Sequence, residues 1–156
     1  MIHIIDNTFP ENELEGVQRW ASSLPVDDTW YELHNMMFGK TLLDIASRYF
    51  DLSDAVGCEM HVNYHTPFRH YDKDEHAWRF NKQLIFPLCA IVYYPKIEMV
   101  GGQIIFPEAD VGVTPKTNRT ILFRGDLLHE GVPFDGYRQS VGINPWLNKP
   151  MKYRNI

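Results

Sequence analysis

Residues 128–146 read LHEGVPFDGYRQSVGINPW, and this stretch decides the fold that the sequence predicts. Asp135 and Gly136 form a two-residue turn signal between strand-like segments, which predicts an antiparallel hairpin that pairs 128–134 with 137–145, with 134 opposite 137. In that register His129 lies opposite Gly142. Because side chains alternate along a strand and opposed residues share a face, the His129 face also carries Arg138, Ser140 and Asn144.

An imidazole and a guanidinium on one face predict a site with two ends. Arg138 lies four residues along from the residue opposite His129, which places the two backbones roughly 13–14 Å apart at about 3.4 Å per residue. A small dicarboxylate fits between the two side-chain tips. The imidazole can hold a metal, while the planar fork of guanidinium donors suits a carboxylate.

A metal needs further ligands, and the His-x-Asp motif at His70 and Asp72 supplies them. Residues i and i+2 of an extended strand project from one face, so this motif presents an imidazole and a carboxylate side by side. With His129 it makes two histidines and one carboxylate, the facial triad that leaves open positions on a non-haem Fe(II). A weaker, alternative ligand pair nearby is Asp74 with His76.

At this point the sequence resembles the 2-oxoglutarate and Fe(II)-dependent dioxygenases of the prolyl-4-hydroxylase type. That family has His-x-Asp, a second His about fifty to sixty residues later, and an Arg or Lys about nine or ten residues beyond it. The segments IVYYP (91–95) and GGQIIFP (101–107) also resemble family segments, as does IHIIDNTFPENE near the N-terminus. The resemblance covers roughly 57–147, and the family positions are occupied here by His70, Asp72, His129 and Arg138.

The resemblance implies a double-stranded β-helix and an oxygenase reaction. Oxidative decarboxylation of 2-oxoglutarate to succinate and CO2 would be coupled to hydroxylation of a substrate C–H, a peptidyl proline being one candidate. The implied cofactors are Fe(II), 2-oxoglutarate as cosubstrate, molecular oxygen, and ascorbate for reactivation.

The resemblance also assigns roles to individual residues. Fe(II) would bind His70, Asp72 and His129, and the far carboxylate of 2-oxoglutarate would rest on Arg138. Side chains that would assist Arg138 are Ser140, Tyr64 and Tyr94, the last being favoured over the adjacent Tyr93.

Length and composition set broad limits on the protein. The 156 residues predict one domain, with a strand and helices over 1–56, a β-helix core over 57–147 and a tail over 148–156. A net charge of −5 disfavours a nucleic-acid partner, and no apolar run approaches the ~20 residues that cross a bilayer. Cys58 and Cys89 lie in apolar surroundings, which predicts buried free thiols and a cytoplasmic location.

The predicted fold class is mainly β with N-terminal α-helices, a jelly-roll or cupin-like barrel whose helices cover the outer face of one sheet. A strand is predicted over 2–5, and helices over 10–23 and 40–50. The loop 73–82 is interpreted either as a lid over the substrate or as a plain surface loop. Eight short β-rich segments are predicted at 58–64, 69–72, 83–94, 102–106, 111–114, 120–124, 127–133 and 138–145.

Two other classes of function stay open. A cupin-like metal-binding isomerase would share the barrel and the histidines but would not need Arg138. A non-catalytic β-barrel binding module would be expected to have lost at least one of the four residues, and none is lost here. The substrate is left open between a peptide, a protein and a small molecule. Gly142 is interpreted either as clearance for the cosubstrate or as the mark of a bulge. For His61 and His65, which flank Tyr64, a structural role is favoured over a role in the site.

Overall fold

The computed structural model describes residues 2–154, which form two β-sheets and three α-helices. The helices are α1 (Glu11–Ser23), α2 (Phe38–Ala46) and α3 (Glu75–Asn81), with short 3-10 turns at Leu33–Asn35, Pro107–Ala109 and Met151–Tyr153. The strands are β1 (Ile2–Ile5), β2 (Thr29–Tyr31), β3 (Gly57–Asn63), β4 (Cys89–Gly101), β5 (Ile104–Phe106), β6 (Val111–Val113), β7 (Arg119–Arg124), β8 (Glu130–Gly131) and β9 (Phe134–Trp146). Within this range, no helix combines the length and apolar character that crossing a membrane requires.

The larger sheet has six strands in the order β1-β7-β4-β9-β3-β2, and the smaller has three in the order β6-β5-β8. Every strand pair in both sheets is antiparallel. The two long strands β4 and β9 lie side by side at the centre of the larger sheet. Residues that alternate along these two strands therefore face either the helices or the smaller sheet.

The helix-covered face of the larger sheet carries the main apolar core. Helix α1 begins directly after Pro10, a position where the missing N–H costs nothing, and buries Val17, Trp20 and Ala21. Helix α2 buries Leu42 and its neighbours against the same face. The predicted strand at 2–5 and both predicted helices are confirmed, although α2 ends at Ala46 rather than near residue 50.

A second apolar cluster fills the space between the two sheets. Tyr94 of β4 and Phe123 of β7 belong to it from the larger sheet, and Ile104 and Phe106 of β5 from the smaller one. Cys58 and Cys89 belong to the helix-side cluster, where both are buried and free, as predicted.

The predicted hairpin at residues 128–145 is wrong. Asp135 and Gly136 lie inside β9, opposite Val100 and Met99 of β4, and Gly136 adopts a φ of 121°. A Cβ at Gly136 would lie 2.3 Å from the Glu98 carbonyl oxygen, so this glycine allows close strand pairing rather than a turn. The long strand β4 instead pairs with residues 134–139 and 141–143, so the segment that follows Pro133 continues through Asp135 and Gly136 as one strand.

Three further predictions for local structure need correction. The segment 69–72 forms no strand and contributes one isolated bridge, His70 with His129. The predicted loop 73–82 contains helix α3, because the Asp74 side chain caps it by accepting a hydrogen bond from the Ala77 N–H at 3.0 Å. The segment predicted as a strand over 83–94 forms one only from Cys89 onward, and β2 was not predicted.

A β-bulge interrupts the pairing of β4 with β9. Tyr93 pairs with Val141 and Lys96 pairs with Gln139, so Tyr94 and Pro95 together lie opposite the single residue Ser140. Pro95 has no N–H to give to the ladder, which suits it to such a position. The bulge changes which residues of β4 face inward at the point where Arg138 and Ser140 lie on β9.

Candidate metal and carboxylate site

Three ligand-type side chains converge where the two sheets meet. Nε2 of His70 lies 3.2 Å from Oδ1 of Asp72, and Nε2 of His129 lies 3.7 Å from the same oxygen. One ligand atom from each residue lies within 4.8 Å of the other two. Small side-chain movements would let one ion bound at about 2 Å contact all three atoms.

The backbone holds the two histidines together. His70 donates its N–H to the His129 carbonyl at 2.9 Å, and His129 donates its N–H to the His70 carbonyl at 3.1 Å. The ring centroids lie 4.3 Å apart. This reciprocal bridge positions the two histidines. The sequence had instead predicted a strand at 69–72 and a hairpin after His129 for this role.

Both imidazoles are fixed in the same tautomer. The Nδ1 atom of His70 lies 2.6 Å from the Phe68 carbonyl oxygen, and that of His129 lies 2.9 Å from the Leu127 carbonyl oxygen. A carbonyl oxygen only accepts hydrogen bonds, so each Nδ1 carries a proton and each Nε2 is the ring nitrogen left to face Asp72. Hydrogen bonds of this kind typically orient metal-binding histidines.

The Asp72 carboxylate is oriented from its other side by Asn144. The Asn144 Nδ2 group donates to Oδ2 of Asp72 at 3.3 Å, which leaves Oδ1 facing the two histidines. Burial alone would raise the pKa of Asp72, but the hydrogen bond with His70 and the nearby His129 lower it. Burial lowers the pKa of His129, so that residue favours the neutral form that binds metals.

The other end of the site holds a buried cation. Arg138 is 3% exposed and donates from Nη1 to the His65 carbonyl and to the Ser140 hydroxyl, both at 3.2 Å. Within residues 2–154, no carboxylate lies within ion-pairing distance of its guanidinium. A buried charge without a counter-ion is costly, so this arrangement favours an anionic ligand.

Tyr94 lies beside Arg138 with an unused hydroxyl. Its side chain is fully buried, its ring centroid lies 5.4 Å from the guanidinium carbon, and its hydroxyl has no hydrogen-bond partner among the described residues. Burial raises the pKa of Tyr94, so the hydroxyl stays a neutral donor. The neighbouring Tyr93 faces the helices and its hydroxyl donates to Oδ1 of Asn118 at 2.8 Å.

Tyr64 does not line the site. His61 and Asn63 of β3 line the pocket, so by alternation the next residue faces away from it. The Tyr64 hydroxyl instead accepts a hydrogen bond from Gln139 Nε2 at 3.2 Å on the helix-covered side. The expectation that Tyr64 assists Arg138 is therefore corrected.

A partly open pocket with a cavity volume of about 100 Å³ joins the two ends. It is lined at one end by His70, Asp72 and His129 and at the other by Arg138 and Ser140, with Ala90, Val92 and Ile104 among the residues between them. The pocket is long enough to bring a metal and a buried guanidinium to the same bound molecule.

Gly142 has a different role from the one expected. It pairs with His61 on β3 and with Val92 on β4, not with His129. A Cβ at Gly142 would lie 2.7 Å from Cε1 of His61, so the glycine makes room for that imidazole. The sequence reasoning treated His61 as structural and gave Asn144 no role beyond sharing a face, although alternation along β9 could have singled Asn144 out.

Comparisons with known proteins address the fold. No protein-family model and no curated protein sequence matches the chain. Among solved structures, it is similar to a viral collagen prolyl hydroxylase from Paramecium bursaria Chlorella virus-1 in complex with 2-oxoglutarate, at 15% identity over 94% of this chain and 96% of that one, with a TM-score of 0.65. It is also similar to a Pseudomonas putida prolyl-4-hydroxylase, at 17% identity over 95% and 93% of the two chains and a TM-score of 0.64.

A third similar structure is a prolyl hydroxylase from Trichoplax adhaerens in complex with a peptide fragment of hypoxia inducible factor. It shares 13% identity over 99% of this chain and 87% of that one, with a TM-score of 0.64. At such identities the likeness establishes the fold, and the predicted fold class is confirmed. The chain has the double-stranded β-helix fold of the 2-oxoglutarate and Fe(II) oxygenases, with prolyl hydroxylases among its structural neighbours.

Proposed function

We propose that this protein is a 2-oxoglutarate and Fe(II)-dependent dioxygenase that hydroxylates a substrate C–H. The observation that carries the proposal is the buried guanidinium of Arg138, which lacks a carboxylate partner and shares a pocket with two histidines and an aspartate. A metal-binding barrel of another class would have no use for a buried cation in the same pocket as its metal.

His70, Asp72 and His129 are the residues that would hold Fe(II). Two imidazoles and one carboxylate form the donor set typical of non-haem Fe(II) oxygenases, and it leaves coordination positions for other ligands. The hydrogen bonds to the Phe68 and Leu127 carbonyls would orient both rings so that their Nε2 atoms face the ion.

Arg138 would bind the far carboxylate of 2-oxoglutarate with its guanidinium fork. The Tyr94 hydroxyl would donate a second hydrogen bond to that carboxylate, which gives this buried group the partner it otherwise lacks. Ser140 accepts from Arg138 at 3.2 Å and donates its hydroxyl to the Asn63 carbonyl at 3.4 Å, so its role is to hold the guanidinium fork in place.

Fe(II), when bound, supplies the chemistry by which molecular oxygen oxidises 2-oxoglutarate to succinate and CO2 and a substrate C–H is hydroxylated. Ascorbate would serve as the reductant that restores inactive iron. The substrate classes proposed are a peptide, peptidyl proline included, a protein side chain or a small molecule. We expect a cytoplasmic enzyme that acts on neither nucleic acid nor membrane.

The test compares two 2-oxo acids that differ only at the far end. Anaerobic Fe(II) with 2-oxoglutarate should give a visible metal-to-ligand charge-transfer band, and 2-oxobutanoate, which lacks the far carboxylate, should give the same band with a weaker midpoint. Because charge-assisted hydrogen bonds contribute ~1.5–3 kcal/mol, the midpoints should differ roughly 10- to 100-fold.

Two results would contradict the proposal. Absence of the band with either acid would leave a cupin-like metal protein or a binding module as the better interpretation. Equal midpoints for the two acids would show that Arg138 does not recognise the far carboxylate.

A further inference from the structure

A third histidine lies in the site and is not used by the proposed metal centre. His61 projects from β3 onto the surface left bare by Gly142, and it lines both the pocket described above and an adjoining, more open cavity of about 370 Å³. This second cavity shares His70, Asp72 and Asn144 with the first. It therefore gives a second molecule access to the metal from the side away from Arg138.

Asp28 fixes the orientation of His61. Oδ1 of Asp28 lies 2.8 Å from Nδ1 of His61. The hydrogen bond to His61 lowers the pKa of Asp28 although burial opposes this, so the group is a carboxylate that accepts the Nδ1 proton. The imidazole therefore keeps the Nδ1–H tautomer and presents the lone pair of Nε2.

That Nε2 atom has no hydrogen-bond partner among residues 2–154, and its ring borders both cavities. The contact between Asp28 and His61 is not needed to hold β2 against β3. These two strands are already paired at three consecutive positions, from Thr29 with Met60 onward. The Nε2 atom of His61 is thus an oriented hydrogen-bond acceptor beside the candidate metal site, and it is available to an incoming molecule.

We propose that Nε2 of His61 accepts a hydrogen bond from the substrate that is hydroxylated, and that Asp28 is the positioning residue for this contact. The inference rests on the proposed oxygenase function and specifies its substrate. The substrate carries an N–H or O–H donor, as an amine, an amide or an alcohol does, close to the C–H that reacts. A run of consecutive prolines has no N–H groups, so it does not meet this requirement.

The polar lining of the second cavity supports the same substrate class. Its walls include Asp27, Asn63 and Asn144, and few apolar side chains. An apolar ring placed there would bury these polar groups without giving them hydrogen-bond partners, which is costly. A substrate with polar donor groups would replace the hydrogen bonds to water that these residues lose when it binds.

The first experiment measures succinate release by the Fe(II) enzyme with a panel of probes. One set consists of free L-arginine, L-lysine, L-asparagine, L-glutamine, L-serine and L-threonine, and the comparison probe is hexaproline with an acetylated N-terminus and a dimethylamide C-terminus. At least one donor-bearing probe should stimulate 2-oxoglutarate turnover, and the capped hexaproline should not. Stimulation by hexaproline alone, or by no donor-bearing probe, would overturn the assignment of the substrate class.

The second experiment tests His61 with the best stimulating probe. In His61→Ala the KM for that probe should rise about tenfold and the ratio of succinate to hydroxylated product should increase, since one well-oriented hydrogen bond is lost. His61→Gln, which can present an amide oxygen, should recover part of the loss. Asp28→Asn should also raise the KM, but by less than His61→Ala does. Without the carboxylate, the proton of His61 is no longer held on Nδ1.

Gly142→Ala provides a second way to displace the imidazole without changing its chemistry. Its Cβ would lie 2.7 Å from Cε1 and 3.2 Å from Nε2 of His61, so the ring must move. The KM for the probe should rise in this variant too. His76→Ala is the matched histidine control on helix α3, and it should leave the KM unchanged.

The charge-transfer titration separates failure of this inference from failure of the proposed function. In His61→Ala the band with Fe(II) and 2-oxoglutarate should persist with a midpoint within about twofold of wild type, because the far carboxylate of 2-oxoglutarate contacts Arg138 and not His61. A band that persists together with an unchanged KM for the probe would overturn the role of His61 alone. Absence of the band in the wild-type protein would overturn the proposed function itself.

Discussion

The two faces of the larger sheet differ in whether their buried polar groups have hydrogen-bond partners inside the protein. On the helix-covered face, the Tyr93 hydroxyl donates to Asn118 and the Gln139 amide donates to Tyr64, so polar groups find partners inside the protein. On the inner face, at the adjacent residue of each strand, the Tyr94 hydroxyl has no partner and Arg138 has no carboxylate in the described part of the chain. The same two strands thus carry a satisfied face and an unsatisfied one.

The difference identifies which face binds ligands. Buried polar groups in folded proteins are nearly always hydrogen-bonded, so an exception calls for a specific reason. Random loss of packing would leave exceptions on both faces. Here they occur together next to the β-bulge: Arg138 lines the pocket that also contains His70 and His129, and Tyr94 lies beside Arg138.

The largest expected effect comes from removing a ligand at the metal end of the inner face. His129→Ala should abolish tight Fe(II) binding and 2-oxoglutarate turnover, because two remaining ligands cannot replace the facial triad. The measurement is an anaerobic Fe(II) titration together with succinate release. Far-UV circular dichroism should stay unchanged, since the larger sheet does not depend on this imidazole.

His76→Ala is the control for that variant. It removes an equally available histidine from helix α3, next to the candidate ligands in sequence, and should retain metal. Loss of Fe(II) binding in His76→Ala, or full succinate production by His129→Ala, would show that the wrong histidine has been assigned.

A smaller effect is expected at the carboxylate end. Arg138→Ala should weaken the charge-transfer midpoint for 2-oxoglutarate roughly 10- to 100-fold, and Arg138→Lys should fall between, because lysine keeps the charge without the fork. Metal binding should survive in both variants. An unchanged midpoint in Arg138→Ala would remove the main reason for preferring an oxygenase.

Arg138→Met sharpens the comparison of the two faces through stability. An apolar side chain of similar length removes the buried charge, and replacing an uncompensated charge in this way is often neutral or stabilising. Without 2-oxoglutarate, the Tm of Arg138→Met should therefore equal or exceed that of wild type in a thermal melt. A clear loss of stability would mean that Arg138 is structural.

The sequence predicted the composition of the site better than the way the chain builds it. Alternation along β9 placed Arg138, Ser140 and Asn144 on one face, and that face does line the pocket. The hairpin that was meant to add His129 to it does not exist. His129 arrives instead through a bridge to His70 from outside the larger sheet, because pairing between distant segments cannot be read from a local turn signal.

Other features depend on neighbours that one sequence does not reveal. Asp28 and His61 are brought together by the pairing of β2 with β3, and β2 is too short to predict. The bulge after Tyr93 shifts the alternation of β4 by one residue, so periodicity beyond that point predicts the wrong face. The choice of Tyr94 over Tyr93 depended on the family resemblance, and the fold places the two on opposite faces of the sheet.

The smallest expected effect comes from these two tyrosines, which make a matched pair because each is fully buried on the same strand. Tyr94→Phe removes a hydroxyl that has no partner, so the unfolding free energy without ligand should stay equal or rise slightly, while the midpoint for 2-oxoglutarate weakens about 3- to 10-fold. Tyr93→Phe removes the hydrogen bond to Asn118, so it should cost about 1 kcal/mol of stability and leave the midpoint unchanged.

The measurement is urea unfolding paired with the charge-transfer titration for both variants. Opposite responses are expected because one hydroxyl serves the fold and the other is kept for a ligand. Equal destabilisation by the two substitutions would mean that Tyr94 has a structural partner after all. A midpoint that moves only in Tyr93→Phe would place the carboxylate on the helix-covered face and contradict the assignment of the two faces.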